Sequence, residues 1–84
     1  MVEDLTDKVV AWASEVARCA AALPSRQMRD EYLAERRREL IAGALDQGVA
    51  EHDAVILADA CVSAAGRIMI ELLAQRAGVP EGRA

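Results

Sequence analysis

Three consecutive arginines, Arg36, Arg37 and Arg38, stand in the run LAERRREL at residues 33–40 of a chain whose formal net charge is −4. Guanidinium groups grip phosphates or carboxylates in pairs of hydrogen bonds, so the triplet could serve a nucleic acid or a protein partner. The other residues with chemical potential are sparse. His52 is the lone histidine, flanked by Glu51 and Asp53, with no second imidazole or thiolate at metal-ligand spacing. Cys19 and Cys61 are 42 positions apart, in no CxxC and with no nearby histidine. They are expected to be reduced, buried thiols, with a helix-to-helix disulfide as the alternative. Ser63 has no base at a recognisable spacing, and no glycine-rich phosphate loop occurs. Neither catalysis, nor a metal, nor a cofactor is expected.

Charge bookkeeping answers the nucleic-acid reading of the triplet. Residues 1–24 carry four acids against Lys8 and Arg18, residues 25–48 five acids against five arginines, and residues 49–84 five acids against three arginines. Phosphate binding needs an uncompensated basic face, because affinity comes largely from counterion release. Here the arginines have acids at helical spacing: Arg26 with Asp30, Arg38 with Glu35, Arg36 with Glu39. Direct DNA binding is therefore not expected, although a three-helix chain can hide a helix-turn-helix.

The elements that position these groups are helices. Leu5, Val9, Trp12, Val16, Cys19 and Leu23 form one apolar stripe at steps of three and four. LPS at 23–25 breaks that helix, and Ser25 suits the N-cap of the next. In the second helix Leu33, Leu40, Ile41, Ala44 and Leu45 make one apolar face. Met28 and Tyr32 form a separate patch, so two neighbours are expected to flank it. Gly48 and Gly78 suit left-handed helix ends, with Pro80 beyond the second. In the third helix a polar stripe of Asp59, Ser63, Arg67, Glu71 and Gln75 crosses an otherwise apolar surface, which predicts a central element. Gly66, beside Ala64 and Ala65, marks either a close helix crossing or a bend.

The expected architecture is all-α: a compact bundle of three main helices at about 3–22, 25–46 and 51–77, the third central. Residues 1–78 form one helical domain and 79–84 a flexible C-terminal tail. Eighteen alanines and only two aromatics, Trp12 and Tyr32, predict a thin core with closely approaching helices. The start MVEDLTDK lacks the basic and apolar regions of a secretory leader, and no apolar run reaches membrane-spanning length, which predicts a cytoplasmic protein.

Position on the helical wheel separates the arginines. Arg36 and Arg38 flank the apolar face on opposite edges, whereas Arg37 lies four after Leu33 and four before Ile41, in the stripe itself. Its stem either lies along the core boundary with the guanidinium reaching water or an acid, or it anchors another protein. Ile56 and Ile70 share the side of Asp59, Ser63 and Arg67, so they lie under another helix or face a partner. Tyr32, Arg36, Arg37, Ile56, Asp59, Ser63, Arg67 and Ile70 are thus the candidate partner-binding residues.

The stretches WASEVARCAAALPSRQMRDEYLAERRREL and ADACVSAAGRIMIELLAQRAG, in a short, acidic, alanine-rich chain, resemble the QseM-type quorum-sensing antiactivators of rhizobial symbiosis islands and integrative conjugative elements. The similarity is one of overall organisation along nearly the whole chain, with no diagnostic motif, and it assigns no site residue. It implies a non-enzymatic protein that sequesters a transcriptional activator, either LuxR-type or a transfer activator with a variant helix-turn-helix. Promoter engagement, and with it conjugative transfer, would be repressed. Expected alongside are no direct nucleic acid, no membrane, and a monomer or weak homodimer. The alternative is a small helix-turn-helix-like DNA-binding regulator of excisionase or antitoxin type.

Overall fold

A computed structural model describes residues 2–78, with side chains from Asp7 onward; the expected tail at 79–84 lies outside the described residues. Three helices follow one another: α1 (Val2–Ala21), α2 (Arg26–Asp46) and α3 (Glu51–Arg76). They pack into a three-helix bundle. α3 is the central element, most extensively packed on α1, then on α2, while α1 and α2 touch least.

Local chemistry fixes the breaks. The Ser25 side chain accepts the Met28 backbone N–H at 3.1 Å, capping α2 as its sequence implied. At the other end Gly48 takes φ +91°; its N–H donates to the Leu45 carbonyl and that of Val49 to the Ala44 carbonyl. This paired closure needs a left-handed residue just past the helix, and glycine adopts that geometry at least cost. Gly78 also takes a positive φ, +71°, just past α3, and its N–H donates to the Gln75 carbonyl. α3 starts without a side-chain cap, but Glu51 and Asp53 sit in its first turn, against the positive end of the dipole. Two arginines close the end of α1. Arg29 Nη1 donates to the Leu23 carbonyl at 3.1 Å, and Arg76 Nη1 to the Ala21 carbonyl at 2.7 Å. Carbonyls left over at a helix terminus thereby find donors, and the far end of α3 is tied to α1.

The core is built of small side chains. α1 buries Ala13, Val16, Ala17, Ala20 and Ala21, and α3 buries Ala54, Ala58, Cys61, Ala65 and Met69, whereas α2 buries no residue completely. Tyr32 and Leu33 of α2 pack partly against both buried clusters, so α2 does meet two neighbours. Alanine against alanine lets the α1 and α3 backbones come close, and each methyl removed from water contributes about 0.8 kcal/mol.

Three expectations change. The stripe of large residues on α1 is not its buried face. Val16 is buried, but Val9, Trp12 and Leu23 are half-buried and Cys19 is exposed, while the side chain of Leu5 lies outside those described. The buried face is centred about a quarter turn away, on the alanines, counting 100° per residue. Close approach to α3 selects the smallest side chains, and the larger ones spill to the flank beside α2. Cys19 and Cys61 are both free thiols, but only Cys61 is buried. Finally, Gly66 marks no close crossing within the chain. α3 runs as one helix from Glu51 to Arg76, and a Cβ built on Gly66 would meet nothing within 4 Å.

Candidate functional site

The arginine triplet resolves into three separate arrangements. Arg37 lies half-buried on the edge of α2 that faces α3, and its Nε donates to Asp59 Oδ1 at 2.6 Å. Its stem therefore follows the core boundary while its head meets an acid on the neighbouring helix. Both partners keep much of their surface in water (39% and 57% exposed), so the pair contributes no more than about 1 kcal/mol. Arg36 turns the other way. It lies over the Tyr32 ring, 4.8 Å from its centre, and its Nη2 donates to Glu39 Oε2 at 2.6 Å. Its Nε is buried with no hydrogen-bond partner. Arg38 pairs outward with Glu35 at 3.2 Å. Arg26 and Asp30 make the remaining pair at 3.9 Å, so all three pairings expected from spacing form.

Tyr32 and Arg36 border a cleft of roughly 250 Å³ between α1 and α2, together with Trp12, Glu15, Val16, Cys19 and Glu39. Both aromatic residues of the chain are here. The same two residues also border a shallower depression with Leu23, Met28, Glu31 and Glu35. Burial pushes the Tyr32 phenol up, the Cys19 thiol beside it adds to the rise, and Arg36 only partly offsets it. The Cys61 thiol is likewise pushed up, by burial alone. Trp12, Glu15, Cys19 and Glu39 were not among the candidate residues. Their signal was present in the Trp12–Cys19 spacing, but a large-residue stripe reads as core until the alanine face is known to be preferred.

The second group of candidates lies on the outer face of α3. Ile56 and Ile70 are 54% and 62% exposed, and Asp59, Ser63 and Arg67 are exposed around them. This face points away from the buried Ala54, Ala58, Cys61 and Ala65. Arg37 joins it through Asp59. The eight candidates therefore form two patches: Ile56, Asp59, Ser63, Arg67, Ile70 and Arg37 in one, Tyr32 and Arg36 in the other. His52 is exposed. Among the described residues no cluster of His, Cys, Asp or Glu could hold a metal ion, and no helix is long and apolar enough to cross a membrane. Comparison of the chain with protein-family models, with curated proteins and with solved structures returns no match.

Proposed function

We propose that the protein is a non-enzymatic antiactivator: a cytoplasmic, helical protein that binds a transcriptional activator and blocks its engagement of DNA. The observation that carries this reading is the outer face of α3, where two isoleucines stand in water with an acid, a serine and an arginine between them. Apolar anchors interrupted by charged groups suit the surface of another protein better than a phosphate backbone. The arginine pairing supports the same reading over the DNA-binding alternative. Arg26, Arg36, Arg37 and Arg38 are each matched with a carboxylate, and Arg29 and Arg76 are committed to backbone carbonyls. The acidic balance of the chain suits a basic partner such as a DNA-reading domain. The sequence resemblance makes a LuxR-type regulator or a transfer activator with a variant helix-turn-helix the partner to test.

The test is a titration of the purified protein into an activator–promoter gel shift. Loss of the shifted band at stoichiometric amounts is expected, and an unaltered band at large excess sinks the proposal. Ile70→Asp and Arg37→Glu should each reduce the effect while the helical circular dichroism signal survives. Binding of the protein itself to duplex DNA, weakening steeply with salt, would favour the DNA-binding alternative.

A further inference from the structure

The outer face of α3 is self-complementary. Around Ser63, residues at equal distances on either side match in kind: Ala60 and Gly66 three positions away, Asp59 and Arg67 four away, Ile56 and Ile70 seven away. On the wheel, Ile56 and Ile70 lie within about 20° of Ser63, Asp59 and Arg67 within about 40°, and Ala60 and Gly66 within about 60°. All seven thus occupy one side of the helix, opposite the core. Small residues sit near the middle, charges of opposite sign sit beyond them, and isoleucines sit at the ends.

We propose that this face seats a second copy of the chain, α3 against α3, antiparallel about a two-fold axis beside Ser63. An axis there places Ile56 at the level of the partner's Ile70 and Asp59 at the level of the partner's Arg67, twice over by symmetry. The match of charge is particular to the antiparallel sense, since a parallel pair would set Asp59 against its own twin. Asp59 meets Arg37 through one oxygen and remains 57% exposed, so it can accept from a second guanidinium. This arrangement accounts for Gly66, which neither a close neighbour nor a left-handed backbone requires. It has no positive φ, and an added Cβ would touch nothing, yet glycine weakens a helix interior relative to alanine. Beside Ala60 and Ser63 it allows two helices to approach closely. A stripe of fifteen residues, 56–70, spans only about 21 Å, so the interface is small and the association concentration-dependent. A second copy and an activator would compete for the face; the dimer itself does not depend on the antiactivator reading.

Sedimentation equilibrium of the full chain from about 10 μM to about 1 mM covers the affinities a small interface provides. A reversible monomer–dimer equilibrium is expected, weakened about tenfold or more by Ile70→Asp with the helical signal intact. Asp59→Arg and Arg67→Asp should each weaken it alone, and an equimolar mixture of the two variants should associate again, because each then meets its opposite charge. In a Cys19→Ser background, Ser63→Cys should form a disulfide-linked dimer under mild oxidation. Ile70→Cys should not, because an antiparallel pair holds its two copies roughly 21 Å apart along the axis. A monomer throughout the range overturns the proposal. So does self-linking of Ile70→Cys as readily as Ser63→Cys, which marks a parallel or non-specific encounter.

Discussion

Replacing three glycines by alanine should give effects of two signs on the stability of the monomer. Gly43 in α2 and Gly66 in α3 have ordinary helical backbones, and a Cβ added at either meets nothing within 4 Å. The gain is therefore helix propensity without a steric cost, about 0.8–1.0 kcal/mol at each position. Gly43 is exposed, so propensity is all it gains. Gly66 is partly buried, but its new methyl would also enter open space, so propensity is its gain too. Gly48 also has open space around it, but its φ is +91°. Alanine there must take a left-handed geometry at a cost of roughly 1–2 kcal/mol. In a domain of this size 1 kcal/mol corresponds to about 4–8 °C in Tm. Thermal unfolding followed by circular dichroism, at a concentration dilute enough to hold the monomer, should give Gly66→Ala and Gly43→Ala similar shifts. Both should lie above the parent, with Gly48→Ala below it. A lower Tm for Gly66→Ala would refute the assignment of that residue to an open helix face. Equal and positive shifts at all three positions would refute the left-handed closure of α2.

A double-mutant cycle on Arg37→Ala and Asp59→Ala should give a coupling of about 0.2–1 kcal/mol by urea unfolding. That coupling should shrink at about 1 M salt, where screening acts over roughly 3 Å; a coupling of several kcal/mol would mean the pair is far drier than its exposure indicates. A thiol reagent should modify Cys19 in the folded protein and reach Cys61 only on unfolding, as mass spectrometry of time points can show, and equal rates would contradict the burial of Cys61. Because folding raises the Cys61 and Tyr32 pKa values, both groups favour the protonated folded state. Their contribution is complete below the ordinary thiol and phenol values and is lost as pH rises from there through the folded values. Stability should thus decline above about pH 9, and less steeply in a Cys61→Ala, Tyr32→Phe double variant.

Much of the fold follows from local rules acting on nearby residues. Ser25 caps α2, Gly48 and Gly78 end helices with positive φ, and the Arg26–Asp30, Glu35–Arg38 and Arg36–Glu39 pairs form, because each depends only on neighbours within a turn or two. The three-helix class, and the fact that Ile56 and Ile70 share a side with Asp59, Ser63 and Arg67, were legible in the same way, since a wheel fixes which residues share a side. A wheel does not say which side is buried. On α1 the large stripe through Trp12 and Cys19 pointed to one face, and packing against α3 chose the alanine face a quarter turn away. Close backbone approach compensates for small side chains only when both helices offer them, and that is a property of the pair. The α1–α2 cleft with Trp12 and Tyr32, the Arg36 stack, the Arg76 bond to the end of α1, and the reach of Arg37 to Asp59 all join residues distant in sequence. Spacing along the chain determined which residues are neighbours on a helix; only the docking of helices decided which face lies in water.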